Sequence, residues 1–163
     1  ALSDEAPQVL VQRLAEEKAK KVSRVMRGAE DALIIGSDQV AVCNGKILGK
    51  PHTHERAVEQ LLSFVGQKVT FFTGLSLYDA REDIAQTVCE PFYVTFRNDL
   101  TEAEISRYVE LEQPLNCAGS FKSEGLGTAL FAELSGSDPN SLIGLPTIKL
   151  LKLLRNVGVN PLT

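Results

Sequence analysis

The chain has 163 residues, of which 44% are hydrophobic, and a formal net charge of −4 from 17 basic and 21 acidic side chains. That length and apolar content exclude a disordered tract and suit one ordinary globular domain. Mixed charge with no Lys/Arg-rich block argues against a nucleic-acid partner, and no apolar run approaches the roughly 20 residues needed to span a bilayer. No basic segment followed by an apolar stretch marks a signal peptide. Cys43, Cys89 and Cys117 are odd in number and lack metal-ligand spacing, which fits buried free thiols in a cytoplasmic protein.

In chain order, Ser3 and Asp4 are candidate caps for a helix with Pro7 in its first turn, running to about Met26. Its apolar stripe reads Val11, Leu14, Val22 and Val25, and Lys18 falls within that stripe. Ala32 to Ile35 reads as a strand that breaks after Gly36 and resumes from Val40 to Cys43. Asn44-Gly45 is a type I′ hairpin signal, with the return through Lys46 to Leu48. Thr53 caps a second helix closed by Gly66, and Val69 to Leu77 alternates as a strand.

A further strand spans about Ile84 to Phe96, with a break near Pro91. Thr101 and Glu104 form a capping box for a third helix. The glycine-punctuated stretch "AGSFKSEGLG" precedes a short strand in "TALFAEL" and a turn in "SGSDPNS". A last helix begins near Pro146 and ends at Gly158. Helices and strands that alternate irregularly around one hairpin indicate an α/β fold with a mixed twisted sheet. No repeat, low-complexity tract or linker divides residues 1–163, so a single domain is expected.

Few residues stand out as carriers of chemistry. Asp38 interrupts an apolar run, so it is either a turn acid or a metal ligand or general base for hydrolysis. Lys18 either carries its ammonium to water from an apolar face or meets a phosphate. Lys50, between Gly49 and Pro51, is a surface loop lysine or an anion-binding one. Lys122 and Glu124 lie between glycines that permit close backbone approach to a ligand, although the P-loop pattern is absent. His52 and His54 lack the companions of a zinc site and read as solvated.

The ordered blocks "RLAEEKA", "IIGSDQV", "GKILGKP", "TFFTGLSLYD", "GSFKSEG" and "DPNSLIGLP" resemble the Maf family of nucleoside triphosphate pyrophosphatases across nearly the whole chain. The forms Ser37-Asp38-Gln39 and Lys122-Ser123-Glu124 are similar to the family's 7-methyl-GTP pyrophosphatase subgroup. The pyrimidine-specific subgroup usually has Asp-Thr in the first block and Gln in place of the Glu. The resemblance implies a two-lobed fold like that of inosine triphosphate pyrophosphatases, with the nucleotide in a central cleft. It implies cleavage of the α–β phosphate link of 7-methyl-GTP, a house-cleaning activity, with a divalent cation (Mg²⁺, Mn²⁺ or Co²⁺) at Asp38.

By the same resemblance Asp38 is the proton acceptor, Lys18 and Lys50 handle phosphate, Gln39 and Glu124 set specificity, and Ser120 and Lys122 contact substrate. The hairpin at Asn44-Gly45 then joins the acid to Lys50 along one wall of the cleft. Nothing before Lys18 matches the family's first strand, its Ser-x-Ser-x-x-Arg phosphate loop or its acidic Val-Asp-Glu segment, so the domain is expected to lack them. The expected partner is a small nucleotide, with no nucleic acid and no membrane, in a cytoplasmic homodimer. Two alternatives stand beside this reading: a UTP/dTTP pyrophosphatase of the same family, and a nucleotide-binding regulator linked to septum formation.

Overall fold

A computed structural model describes residues 4–163. Helix α1 spans Pro7–Val25, α2 His54–Leu62, α3 Glu102–Glu112, α4 Asn140–Ile143 and α5 Thr147–Asn156. Strands β1 (Leu33–Cys43), β2 (Lys46–Ile47), β3 (Lys68–Asp79), β4 (Ile84–Phe96) and β5 (Phe131–Ser135) form one sheet in the order β2-β1-β3-β4-β5. The α/β class is the one the sequence indicates. Within it the five strands run antiparallel rather than mixed, and two of the neighbouring pairs, β1–β2 and β3–β4, are hairpins joined by short turns. Two compact units divide the chain: Ala1–Gln39, Phe72–Pro91 and Asp138–Thr163 in one, Val40–Phe71 and Phe92–Ser137 in the other.

In the first unit, α1 begins differently from the expected cap. Ala6 occupies the N-cap without a side-chain bond, Asp4 is exposed, and Ser3 lies outside the described residues. Pro7 sets the start instead, since its fixed φ suits the first helical position and it has no N–H to satisfy. The buried stripe is Leu10, Val11, Ala15 and Ala19, ending in two small side chains, while Val25 is exposed. That stripe lets the helix press on bare backbone. A Cβ at Gly36 would lie 2.1 Å from Ala15 O, and one at Gly74 would lie 2.1 Å from Val11 O.

Gly36 therefore does not break the strand. It lies inside a continuous β1, and Asp38 is a mid-strand residue rather than a loop acid. Strand alternation puts Ile34, Gly36 and Asp38 on the face that α1 covers, and Ser37 and Gln39 on the opposite face. On that second face Ser37 Oγ donates to Gly144 O (2.8 Å) and Gln39 Nε2 donates to Ser141 O (2.8 Å). The expected simple turn at 135–141 in fact leads into α4, nucleated by Asp138. Its carboxylate accepts from the backbone N–H groups of Asn140 (2.9 Å) and Ile148 (2.8 Å). Helix α5 docks through Leu150 and Leu153 on Leu75 and Leu77, and Lys149 pairs with the buried Glu90 at 2.5 Å.

In the second unit the Asn44-Gly45 turn forms as read, with Val42 opposite Ile47 and positive φ at both turn residues. Thr53 caps α2 by accepting from Arg56 N, and the Thr101/Glu104 capping box is complete. Strand β4 does not break at Pro91. Its ladder with β5 begins at Tyr93, so the missing N–H of Pro91 falls outside that pairing. Phe64, Phe71, Phe96, Phe121 and Phe131 form the core, with neighbouring ring centroids 5.2–5.5 Å apart. No helix among the described residues is long and apolar enough to cross a membrane.

Candidate active site

The first unit brings together two of the sequence-derived candidates. Lys18 Nζ lies 2.5 Å from Asp38 Oδ1 and 3.4 Å from Ser37 O. Lys18 lies four positions from both Leu14 and Val22, but the lysine does not simply carry its charge to water. It leans over the face of β1 that α1 covers and meets the acid there. The lysine side chain is 58% exposed and the aspartate 16%, so the pair sits at a surface from which Asp38 remains reachable. Asp38 Oδ2 accepts no hydrogen bond among the described residues. One oxygen of this carboxylate orients against a cation and the other is open to a water or a metal.

Gln39 is engaged more fully than a specificity residue on a bare surface would be. Its amide nitrogen donates to Thr73 Oγ1 (2.9 Å) and Ser141 O (2.8 Å), and Thr73 Oγ1 itself donates to Ser141 O (3.2 Å). Thr73 and Ser141 are fully buried. Strand spacing alone did not single out either partner, because Ser141 lies 102 residues from Gln39 in the chain.

The second unit holds the remaining candidates. Lys50 is exposed and its ammonium has no hydrogen bond or ion pair among the described residues. Ser120 is fully buried, with φ +62°, and donates its hydroxyl to Gln60 Oε1. Lys122 is tied down at both ends: its N–H donates to Tyr108 Oη (2.8 Å) and its Nζ to Glu112 O (2.7 Å) at the end of α3. Burial pushes the Tyr108 phenol up to about 12, so it stays neutral while accepting that bond. Glu124 is exposed, with only Ser123 Oγ at 3.3 Å, and has no cationic partner among the described residues.

His52 is exposed, as read, and His54 is half-buried with Ser106 Oγ 3.3 Å from its Nε2. Cys43 is buried, Cys89 and Cys117 are partly buried, and all three are free. No group of three or more His, Cys, Asp or Glu able to hold a metal exists among the described residues. A dedicated protein cage for a cation is therefore absent there. A single carboxylate such as Asp38 still fits Mg²⁺, which commonly takes one or two protein carboxylates and completes its shell with water and substrate phosphates.

In the first unit a carboxylate with an open oxygen lies beside a lysine, and in the second unit an exposed lysine has no bonded partner among the described residues; phosphate-anhydride chemistry uses groups of both kinds. The chain belongs to the Maf family, and residues 1–157 match the family of Maf-like proteins. It is 59% identical over 162 residues to the 7-methyl-GTP pyrophosphatase of Idiomarina loihiensis, covering 99% of this chain and 81% of the relative. Its identity to the 7-methyl-GTP pyrophosphatase of Colwellia psychrerythraea is 56% over 159 residues, covering 98% and 78%. The protein of that name from Vibrio cholerae is 55% identical over 159 residues, covering 98% and 80%.

Proposed function

We propose that this protein hydrolyses 7-methyl-GTP to 7-methyl-GMP and pyrophosphate. The observation that carries the reading is the Asp38–Lys18 pair, in a chain 55–59% identical to relatives of that activity. Asp38 receives the proton of the attacking water through Oδ2, which accepts no hydrogen bond among the described residues. A bond forms from that water oxygen to the α-phosphorus, and the link from α-phosphorus to the bridging oxygen breaks to release pyrophosphate. Lys18 and Lys50 offset the triphosphate's charge of about −4 and the charge that builds on the leaving group. A divalent cation, when bound at Asp38, supplies further neutralisation of the phosphate oxygens.

Glu124 reads the base in this scheme. Guanine offers adjacent donors at N1–H and its exocyclic amino group, which suit an acceptor-only carboxylate, and N7 methylation makes the ring cationic. Gln39 shapes the same preference from its fixed position, and Ser120 and Lys122 hold the loop that presents Glu124. The protein acts on a small nucleotide in the cytoplasm as a homodimer, without a nucleic-acid partner. Pyrophosphate release from a panel of 7-methyl-GTP, GTP, UTP and dTTP tests the reading. A kcat/KM highest for 7-methyl-GTP is expected, and a preference for UTP or dTTP overturns it.

A further inference from the structure

The backbone around Lys50 is fastened on both sides, while its ammonium has no partner among the described residues. Gly49 O accepts two donors, Gln60 Nε2 and Gly119 N, each at 3.3 Å. On the other side Pro51 is buried and His52 N donates to Leu115 O at 2.9 Å. His52 and Ser120 both hold positive φ, +64° and +62°, which costs a non-glycine residue free energy and persists only where surrounding bonds enforce it.

One side chain reaches both segments. The Gln60 amide donates from Nε2 to Gly49 O and accepts at Oε1 from the fully buried Ser120 hydroxyl. The orientation is dictated chemically, because a flipped amide would set its oxygen against the Gly49 carbonyl. Gln60 is carried by α2, whose start is capped at Thr53 and whose Ala57 and Leu61 are buried, so the base of the side chain is fixed. Beyond Ser120, Phe121 is anchored among aromatic rings and Lys122 is bonded to Tyr108.

We propose that Gln60 is a positioning residue that holds the Lys50 segment in register with the Ser120–Glu124 loop, so that phosphate charge and base are met at a fixed separation. The inference rests on the reading of Lys50 as a phosphate-handling group. Gln60→Glu is the sharpest probe, since a carboxylate still accepts from Ser120 but has no donor for Gly49 O. A displacement of about 1 Å in such a group can lower rate about a hundredfold. Gln60→Glu is therefore expected to lower kcat/KM for 7-methyl-GTP by about tenfold to a hundredfold, with a small change in Tm.

A residue acting through Lys50 has little left to do once that lysine is gone. In a Lys50→Ala background, Gln60→Glu and Gln60→Ala are expected to cost less than about threefold more, whereas two independent roles would multiply. Binding of inorganic tripolyphosphate, measured by calorimetry on the wild type, the three single variants and the two double variants, reads the same coupling without turnover. Multiplying effects overturn the inference, as does wild-type behaviour of Gln60→Glu or a Lys50→Ala protein that binds tripolyphosphate normally. A wild-type protein that shows the coupled binding but releases no pyrophosphate from any nucleotide overturns the proposed activity and leaves Gln60's role standing.

Discussion

Lys18 and Asp38 meet at 2.5 Å although one belongs to a helix and the other to the middle of a strand. The contact depends on how closely α1 lies on β1, and among the described residues it leaves one oxygen of the acid without a hydrogen bond.

Asp38→Asn retains an oxygen that can accept from Lys18 but cannot take a proton from water. Turnover of 7-methyl-GTP is expected to fall by about two to four orders of magnitude, the range for loss of a general base. The melting temperature should barely move. Near-wild-type turnover in the folded variant would remove Asp38 from the chemistry.

Lys18→Ala and Lys50→Ala separate charge from stability. An exposed pair such as Lys18–Asp38 contributes about 0–1 kcal/mol to folding, and Lys50 has no protein partner among the described residues. Each charged hydrogen bond lost to a phosphate costs about 1.5–3 kcal/mol of transition-state binding, read as a drop in kcat/KM. A Lys18 variant with a lower Tm and unchanged kinetics would make that lysine structural.

Glu124→Gln replaces an acceptor with a group that both accepts and donates. Uracil presents carbonyl oxygens beside one N–H, which a carboxylate meets unfavourably and an amide does not. The ratio of kcat/KM for 7-methyl-GTP over UTP is expected to fall. An unchanged ratio would place base recognition elsewhere.

Gly36→Ala and Gly74→Ala test the helix contact on which the pair depends. Each added Cβ would lie 2.1 Å from a carbonyl oxygen of α1, and backbone cannot step aside as a flexible side chain can. Overpacking costs about 1–3 kcal/mol or more, which lowers Tm by several degrees in a chain of this size. Gly36→Ala should also lower activity by lifting Lys18 from Asp38. A Gly36→Ala protein with unchanged Tm would show that α1 is free to move outward.

Asp138 links acid pH to the junction of α4 and α5. Burial by itself would raise its pKa, but hydrogen bonds from Ile148 N, Asn140 and Thr147 outweigh it and hold the carboxyl below its usual range. A depressed native pKa contributes stability that is complete above the unfolded-state value and is lost as pH falls through the native one. Wild-type Tm should therefore decline on acidification more steeply than that of Asp138→Asn, which should be less stable at neutral pH. Parallel pH profiles for the two would exclude the link.

The local grammar of this chain is legible in its sequence. The Asn44-Gly45 hairpin, the Thr53 cap, the Thr101/Glu104 box and the strand from Ile84 to Phe96 all form, because each is specified by residues a few positions apart. Asp38, Lys18, Lys50 and Glu124 stand out as candidates in the sequence, but each also has an ordinary local reading, and the roles come from the family blocks in which they lie. What local reading misjudged are glycine and proline inside the sheet. Gly36 looked like a break, yet it is the place where a helix backbone needs a strand without a Cβ. Pro91 looked like a break, yet it lies past the end of the β5 ladder. The partners of the site were decided only by the fold: Ser141 for Gln39, Glu112 for Lys122 and Gln60 for Ser120 come from 102, 10 and 60 residues away. Hydrogen bonds across such separations follow from which elements pack together, and packing is a property of the whole buried surface rather than of any window along the chain.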